Sequence, residues 1–363
     1  MSYHELFMQR AVQMAERARG SVSPNPHVGA VLVRGGKVIG EGCTQPPGGP
    51  HAEIMALRQA KDARGAEMYV TLEPCCIHGR TPPCTEAIIA AGVKAVYAGI
   101  EDANPRVRCS GFAALQAAGI HVERDHMQAR IERQLEAYLT RVRQQRVFVM
   151  LKTAATLDGR VAARDGSSKW ITGEQARADV HRLRAASDAV LTGIGTVLAD
   201  DPLLTARGVE GATQSLRVVL DRQLRLPLAS QLVRTAGEAP LLVISSQVEC
   251  AHAEALRRAG AEVLTGAPQG SRGMLWYALR VLYERGVNQL MVEAGPRLAS
   301  AFVRCDLVDR WVAYVAPAVL GAGQSVLGRL GIGTMDQARR FTLDDVTRLG
   351  EDVRVDMRPQ ELL

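Results

Sequence analysis

Two short motifs and one distant cysteine constrain this chain more than any other feature. Pro50-His51-Ala52-Glu53 opens a stretch of helical periodicity, Glu73-Pro74-Cys75 closes a stretch of strand character, and Cys84 follows after eight intervening residues. The surrounding pattern alternates between the two periods. Met8, Ala11, Val12, Ala15 and Ala18 mark a helix over residues 4–19, and Ser23-Pro24-Asn25-Pro26 stops it. Val28–Arg34, a Gly35-Gly36 turn and Lys37–Glu41 read as a hairpin. Helices are expected at His51–Lys61, Thr85–Ala91, Phe112–Ala118 and Gln128–Arg143. Strands are expected at Glu67–Leu72, Ala95–Ile100 and Ile120–Glu123. Strands interleaved with helices imply a layered α/β domain.

With 363 residues the chain exceeds what one hydrophobic core usually serves, so two domains are expected. The polar run from Arg141 to Arg146 marks the boundary, dividing the chain into residues 1–145 and 146–363. The second part restarts with an apolar strand at Val147–Thr153. Further strands are expected at Ala189–Thr192, Arg217–Asp221, Leu241–Ser245, Gln289–Glu293 and Trp311–Ala316. Its expected helices are Glu174–Ala185, Glu249–Ala259, Gly273–Arg285 and Arg297–Cys305.

No stretch approaches the roughly 20 apolar residues of a membrane span, and the N-terminus shows no secretory signal, so no membrane partner and a cytoplasmic location are expected. Seven cysteines, clustered only at Cys75, Cys76 and Cys84, then read as metal ligands or catalytic groups rather than a disulfide framework. The net charge of +6 suits an anionic small molecule or nucleic acid equally, but aromatics are only 4% and no dense basic block appears. A small-molecule ligand is therefore expected, without nucleic acid.

Deamination of an amidine-like ring carbon needs a nucleophile and a proton carrier at neutral pH. Zinc lowers the pKa of a bound water from 15.7 toward about 7. A catalytic zinc takes three protein ligands and keeps its fourth position open. A carboxylate that does not bind the metal moves the protons. His51, Cys75 and Cys84 fit the ligands and Glu53 the shuttle, in the order His-x-Glu then Pro-Cys that marks zinc deaminases. The usual two-residue cysteine spacing is replaced here by eight. A competing reading makes the cysteines structural and His51-Ala52-Glu53 a surface turn. Cys76 is an alternative to Cys75, and His78 a possible fourth ligand that would close the site.

That spacing, with Pro24-Asn25-Pro26-His27-Val28-Gly29, Gly79-Arg80-Thr81-Pro82-Pro83-Cys84 and Asp102-Ala103-Asn104-Pro105, resembles the bifunctional deaminase–reductases of riboflavin biosynthesis. The resemblance implies a cytidine-deaminase-like three-layer domain followed by a dihydrofolate-reductase-like domain. It implies deamination of 2,5-diamino-6-ribosylamino-4(3H)-pyrimidinone 5′-phosphate, then NADPH reduction of the ribosyl side chain to ribityl, by a homo-oligomer. Asn25 would contact the pyrimidine or its ribose. Two departures stand out: Cys76-Ile77 replaces the family's Ser-His, and Cys109 replaces a customary glycine.

For the second domain the residues alone say less. Gly193-Ile194-Gly195 lacks the third glycine of a dinucleotide fingerprint. Val292 to Arg297 turns directly from strand to helix through Gly295, which suits either a phosphate or a plain turn. The stretch Lys152–Arg160 is similar to the family's opening reductase motif. By that similarity Ala155, Trp170, Thr196, Asp200 and the run Gly295, Pro296, Arg297, Leu298, Ala299, Ser300 and Ala301 would bind NADPH. Ser168, Arg184, Leu204, Arg207 and Glu293 would bind substrate. Arginine forks at Arg184 and Arg207 suit a ribose phosphate.

Overall fold

The computed structural model describes residues 2–78 and 82–360, so the expected Gly79-Arg80-Thr81 motif lies outside the described residues. The chain forms two compact units, Met1–Arg146 and Val147–Leu363.

The first unit runs α1 (Tyr3–Glu16), β1 (Gly29–Arg34), β2 (Lys37–Cys43), α2 (Ala52–Ala60), β3 (Glu67–Leu72), α3 (Cys84–Ala90), β4 (Ala95–Ile100), α4 (Ser110–Ala117), β5 (His121–Glu123), α5 (Gln128–Gln134) and α6 (Glu136–Gln144). Helix α1 begins on a capping box: Ser2 Oγ accepts the Glu5 N–H, and the Glu5 carboxylate accepts the Ser2 N–H. The strands form one five-stranded sheet in the order β2-β1-β3-β4-β5. β1 is antiparallel to both neighbours, and β3, β4 and β5 are parallel. β4 is buried along its whole length, as parallel strands covered on both faces are.

Two glycines show how the layers form. Gly42 pairs with Ala30, so it shares a face with Ala30 and not with the adjacent Gly29. A Cβ on Gly29 would stand 2.0 Å from the Ala11 carbonyl oxygen of α1, and one on Gly42 would stand 2.6 Å from the Ala52 oxygen of α2. Helices α1 and α2 therefore press on opposite faces, which gives three layers. The helix expected over Gln128–Arg143 is broken at Leu135, which is wholly buried. There the Gln134 side chain donates to the Val12 carbonyl at 2.9 Å and to Glu16 at 2.7 Å, joining the segment to α1.

The second unit contains β6 (Phe148–Thr156), β7 (Arg160–Ala162), α7 (Glu174–Ala185), β8 (Ala189–Gly193), α8 (Ile194–Asp200), β9 (Leu216–Leu220), α9 (Gln231–Arg234), β10 (Leu241–Ile244), α10 (Ala251–Arg258) and β11 (Glu262–Leu264). Then come α11 (Ser271–Glu284), β12 (Gln289–Glu293), α12 (Pro296–Arg304), β13 (Arg310–Ala316), β14 (Gln324–Ser325), β15 (Phe341–Leu349) and β16 (Asp352–Pro359). Nine strands form one sheet in the order β11-β10-β9-β8-β12-β6-β13-β16-β15. From β11 through β13 every neighbouring pair is parallel, and β16 and β15 add an antiparallel edge. This is a dihydrofolate-reductase-like arrangement and not the Rossmann order.

The terminal hairpin β15–β16 has no counterpart in the sequence expectations, for a physical reason. Its inward face is charged. Asp356 is buried between Arg310 and Arg354, and Arg354 also reaches Asp179, which accepts the Tyr314 hydroxyl at 2.7 Å. Val353, Val355 and Met357 point the other way, so the usual apolar-inside alternation is reversed.

Gly29→Ala tests the layer contact. Its φ is unexceptional, so only crowding against α1 acts, and a loss of about 1–3 kcal/mol in denaturant unfolding of the first unit is expected.

Candidate functional site

Strand β3 delivers Glu73-Pro74-Cys75 at its end, and the helices before and after it in the chain, α2 and α3, start beside that end. His51 is the N-cap of α2 with extended backbone, so its ring stands at the helix mouth, and Cys84 is the first residue of α3. The His51 Nδ1 lies 3.5 Å from Cys75 Sγ and 3.3 Å from Cys84 Sγ, and the three ligand atoms fall within 4.8 Å of one another. Zinc bonds of about 2.3 Å to sulfur and about 2.05 Å to nitrogen give a tetrahedral S–N edge of about 3.6 Å. The observed separations match that edge, and the donor set suits zinc.

Backbone contacts hold the sulfurs in place. The Cys84 N–H donates to Cys75 Sγ at 3.4 Å, and the Thr85 N–H and hydroxyl both donate to the Cys75 carbonyl. Hydrogen bonding from the Cys84 thiol, helped by the His51 ring, lowers the Cys75 pKa to about 4. The same pairing, together with burial, pushes the Cys84 thiol upward, and a metal binds only once the sulfurs are thiolates. Glu53, in the first turn of α2, is only 4% exposed and meets the Cys84 thiol. Burial, with the Cys75 thiolate adding to it, raises the Glu53 carboxyl to about 7.

Neither rival ligand joins this group among the described residues. His78 lies against Glu86 at 3.2 Å with both side chains mostly exposed, and Cys76 lies outside the cluster of three. Asn25 is half-buried, its N–H closing a turn on the Val22 carbonyl at 2.9 Å. Cys109 occupies a left-handed backbone with φ of 59°, which explains why a glycine suits the position.

In the second unit Thr196, Glu293, Gly295 and Ala155 lie near the carboxyl ends of the parallel strands β8, β12 and β6, where open α/β sheets bind ligands. Arg184 and Glu293 are joined directly, the guanidinium gripping both carboxylate oxygens at 2.5 and 3.0 Å. The remaining arm of Arg184 donates to the Thr205 carbonyl. Lys152, which faces Glu293 across the β6–β12 register, lies 3.6 Å from the same carboxylate. Sequence reasoning did not single out Lys152; its signal was a lone lysine inside an otherwise apolar strand. Burial alone would raise the Glu293 carboxyl, but the Arg184 and Lys152 charges override it and hold it at about 2.

Gly295 caps the start of α12 and donates its N–H to Thr196 Oγ1 at 3.1 Å, so the segments beginning α8 and α12 are joined. Pro296, Ala299, Ser300 and Ala301 are buried, Leu298 is half-buried and Arg297 is exposed. Ser300 Oγ accepts the Gly328 N–H at 2.7 Å. Trp170 is 71% exposed with the Arg177 guanidinium 4.7 Å from its ring centre. Lys169 donates to the Asp200 carbonyl, tying the Ser168–Trp170 segment to the end of α8. Leu204 has a left-handed backbone, and exposed Arg207 donates its backbone N–H to His181 Nδ1 at 3.2 Å. Ala155 pairs with Val315 near the end of β6.

A His/Cys/Cys cluster beside a buried glutamate, on this three-layer fold, defines a zinc-dependent deaminase of the cytidine deaminase class. Residues 1–100 match the family "cytidine and deoxycytidylate deaminase zinc-binding region", and residues 147–355 match "RibD C-terminal domain". The chain is 41% identical to riboflavin biosynthesis protein RibD of Aquifex aeolicus over 348 residues, covering 96% of each. It is 40% identical to that of Escherichia coli, covering 96% of this chain and 97% of the other. Among solved structures, Acinetobacter baumannii RibD superposes with a TM-score of 0.89 at 38% identity, over 99% of both chains. The Thermotoga maritima diaminohydroxyphosphoribosylaminopyrimidine deaminase/5-amino-6-(5-phosphoribosylamino)uracil reductase does so with 0.88 at 36% identity, again over 99% of both. This chain belongs to the RibD family, the bifunctional deaminase–reductases of riboflavin biosynthesis.

The Glu293 network carries a pH signature. An unfolded glutamate titrates near about 4.3. With its folded pKa held below that, the carboxylate stabilises the fold above about pH 5, and this contribution fades as pH falls toward 2. Glu293→Gln leaves two buried cations uncompensated and should cost about 3–5 kcal/mol at pH 7. Thermal melts of both proteins should converge on acidification; a gap constant with pH would contradict the network.

Proposed function

We propose that residues 1–145 deaminate 2,5-diamino-6-ribosylamino-4(3H)-pyrimidinone 5′-phosphate and that residues 146–363 reduce the ribosyl side chain of the product to ribityl with NADPH. The observation that carries the first half is the zinc-sized triangle of His51, Cys75 and Cys84 with Glu53 buried against it. Zinc, when bound, makes water a strong nucleophile at neutral pH. Glu53 takes the proton from the attacking water and delivers it to the leaving ammonia. Its elevated pKa suits both halves of that transfer. Asn25, with a donor and an acceptor on one amide, orients the ring or ribose.

In the second half NADPH, when bound, supplies the hydride. The segment from Gly295 to Ala301, with Ala155, Trp170, Thr196 and Asp200, holds the dinucleotide, and the α12 N-terminus favours its phosphates. Ser168, Leu204, Arg207, Arg184 and Glu293 hold the sugar phosphate. Arg207, exposed and bonded through its guanidinium to the Thr205 hydroxyl, is the better phosphate ligand, since Arg184 is already committed to Glu293.

The same reading includes a homo-oligomer. One face of β13, β16 and β15 carries Trp311, Val315, Val353, Val355, Met357, Leu343 and Val346, with Leu343 63% and Val346 57% exposed. An apolar patch across three strands at a sheet edge is the kind of surface a second copy covers. A cytoplasmic setting is supported by seven cysteines without a disulfide. No helix among the described residues is long and apolar enough to cross a membrane.

One assay, following ammonia and NADPH together on the diaminopyrimidine phosphate, tests both activities. Glu53→Ala should lose about 10²–10⁴-fold of ammonia release while zinc content and NADPH oxidation of the deaminated intermediate persist. Gly295→Asp should do the reverse, because a carboxylate then repels the phosphates. Loss of both activities in either folded variant contradicts two independent sites. Separately, Val346→Asp should reduce the molecular mass in solution to that of one chain of 39.2 kDa; an unchanged assembly removes that face as the interface.

A further inference from the structure

Glu73 immediately precedes the Pro74-Cys75 pair and is 3% exposed, and its side chain turns to the backbone beyond β4. Its carboxylate is filled by backbone. Oε2 accepts the N–H groups of Asp102 at 3.1 Å and Cys109 at 3.0 Å. Oε1 accepts those of Gly111 at 3.0 Å and Phe112 at 3.3 Å. Its own N–H bonds the Ile100 carbonyl. The loop between β4 and α4 and the first turn of α4 are thus wrapped around one side chain at the end of β3. The fit is close: a Cβ on Gly111 would stand 2.0 Å from the Pro74 carbonyl oxygen. Cys109 adopts its left-handed backbone in the same wrap, which aims its N–H at Oε2.

We infer that Glu73 is a positioning residue for zinc: it clamps the Pro74-Cys75 backbone from the β4–α4 side so that Cys75 Sγ is presented to the metal before the metal arrives. The opposite side of Cys75 is already held, by Thr85 on its carbonyl and the Cys84 N–H on its sulfur. Between these two sets of bonds the Cys75 sulfur has little freedom left. The inner anchor is itself braced, since Asp102 accepts the Tyr138 hydroxyl of α6 at 2.8 Å and the Asn104 N–H at 2.9 Å. An ionised carboxylate accepts four N–H bonds where a neutral amide accepts on one oxygen only, so Gln cannot reproduce the clamp. Partners that orient a metal ligand typically account for 10- to 100-fold of metal affinity. The inference rests on the reading of Cys75 as a zinc ligand.

The test uses the full chain and Zn²⁺ titrated against a colorimetric chelator. Glu73→Gln should weaken zinc about 10- to 100-fold. Its deamination kcat at limiting zinc should fall, excess Zn²⁺ should restore it with KM unchanged, and the reductase rate should stay native. Zinc affinity within twofold of native, together with a lowered melting temperature, would make Glu73 a fold residue only and overturn the inference. If Glu73→Gln does not fold, Glu73→Asp keeps the charge with a shorter reach, and native zinc affinity there overturns it equally. Cys75→Ala is the control for the underlying reading: if it keeps native zinc affinity, Cys75 is not a ligand and that assignment fails on its own.

Discussion

The first unit depends on bringing groups together that would rather stay apart. Two thiols, an imidazole and a carboxylate converge in a site where the carboxylate is almost wholly buried, and their interactions push the two cysteine pKa values in opposite directions. Such an arrangement stabilises nothing until a cation arrives, so the surrounding fold must hold it by force of packing. That force comes from the end of β3, which is paired along both edges within the sheet, and from the starts of α2 and α3. The chemistry is therefore placed where the scaffold is stiffest and the local composition is least comfortable.

The second unit solves a similar problem by charge compensation. Glu293 at the end of β12, Lys152 in β6 and Arg184 in the last turn of α7 sit together, each side chain largely shielded from water. Removing water strengthens their mutual attraction and fixes the orientation of Arg184, which in turn holds the Thr205 segment through its remaining arm. A further cation, Arg217, is wholly buried with carbonyl acceptors from Leu203, Leu232, Thr235 and Ala239 in place of a carboxylate. It secures the loop that carries Leu204. The segment from Leu203 to Thr205 is thus anchored by two buried guanidinium groups.

Much of this could be read in advance. Strand β3 and helix α7 fall where periodicity placed them, and the His51, Glu53, Cys75, Cys84 set was legible because metal and proton chemistry narrows the residue types so severely. What periodicity missed has one common cause. The hairpin β15–β16 turns charge inward and apolar side chains outward, so a reading that equates apolar with buried assigns it nothing. Lys152 and Glu73 were quoted as parts of motifs, yet their roles depend on partners 141 and 29 or more positions away. No local pattern reports a partner at that distance.

By itself the sequence determined most element types, the division into two α/β parts and the residue types able to hold a metal, because helix and strand periods and ligand chemistry are properties of neighbouring residues. Only the tertiary structure decided that Cys75 and Cys84 reach one point across their eight-residue gap, that His78 turns to Glu86 instead, and that Arg184 is held by Glu293. Those outcomes are set by which strand ends lie side by side, and strand order is a global choice among pairings that no single segment encodes.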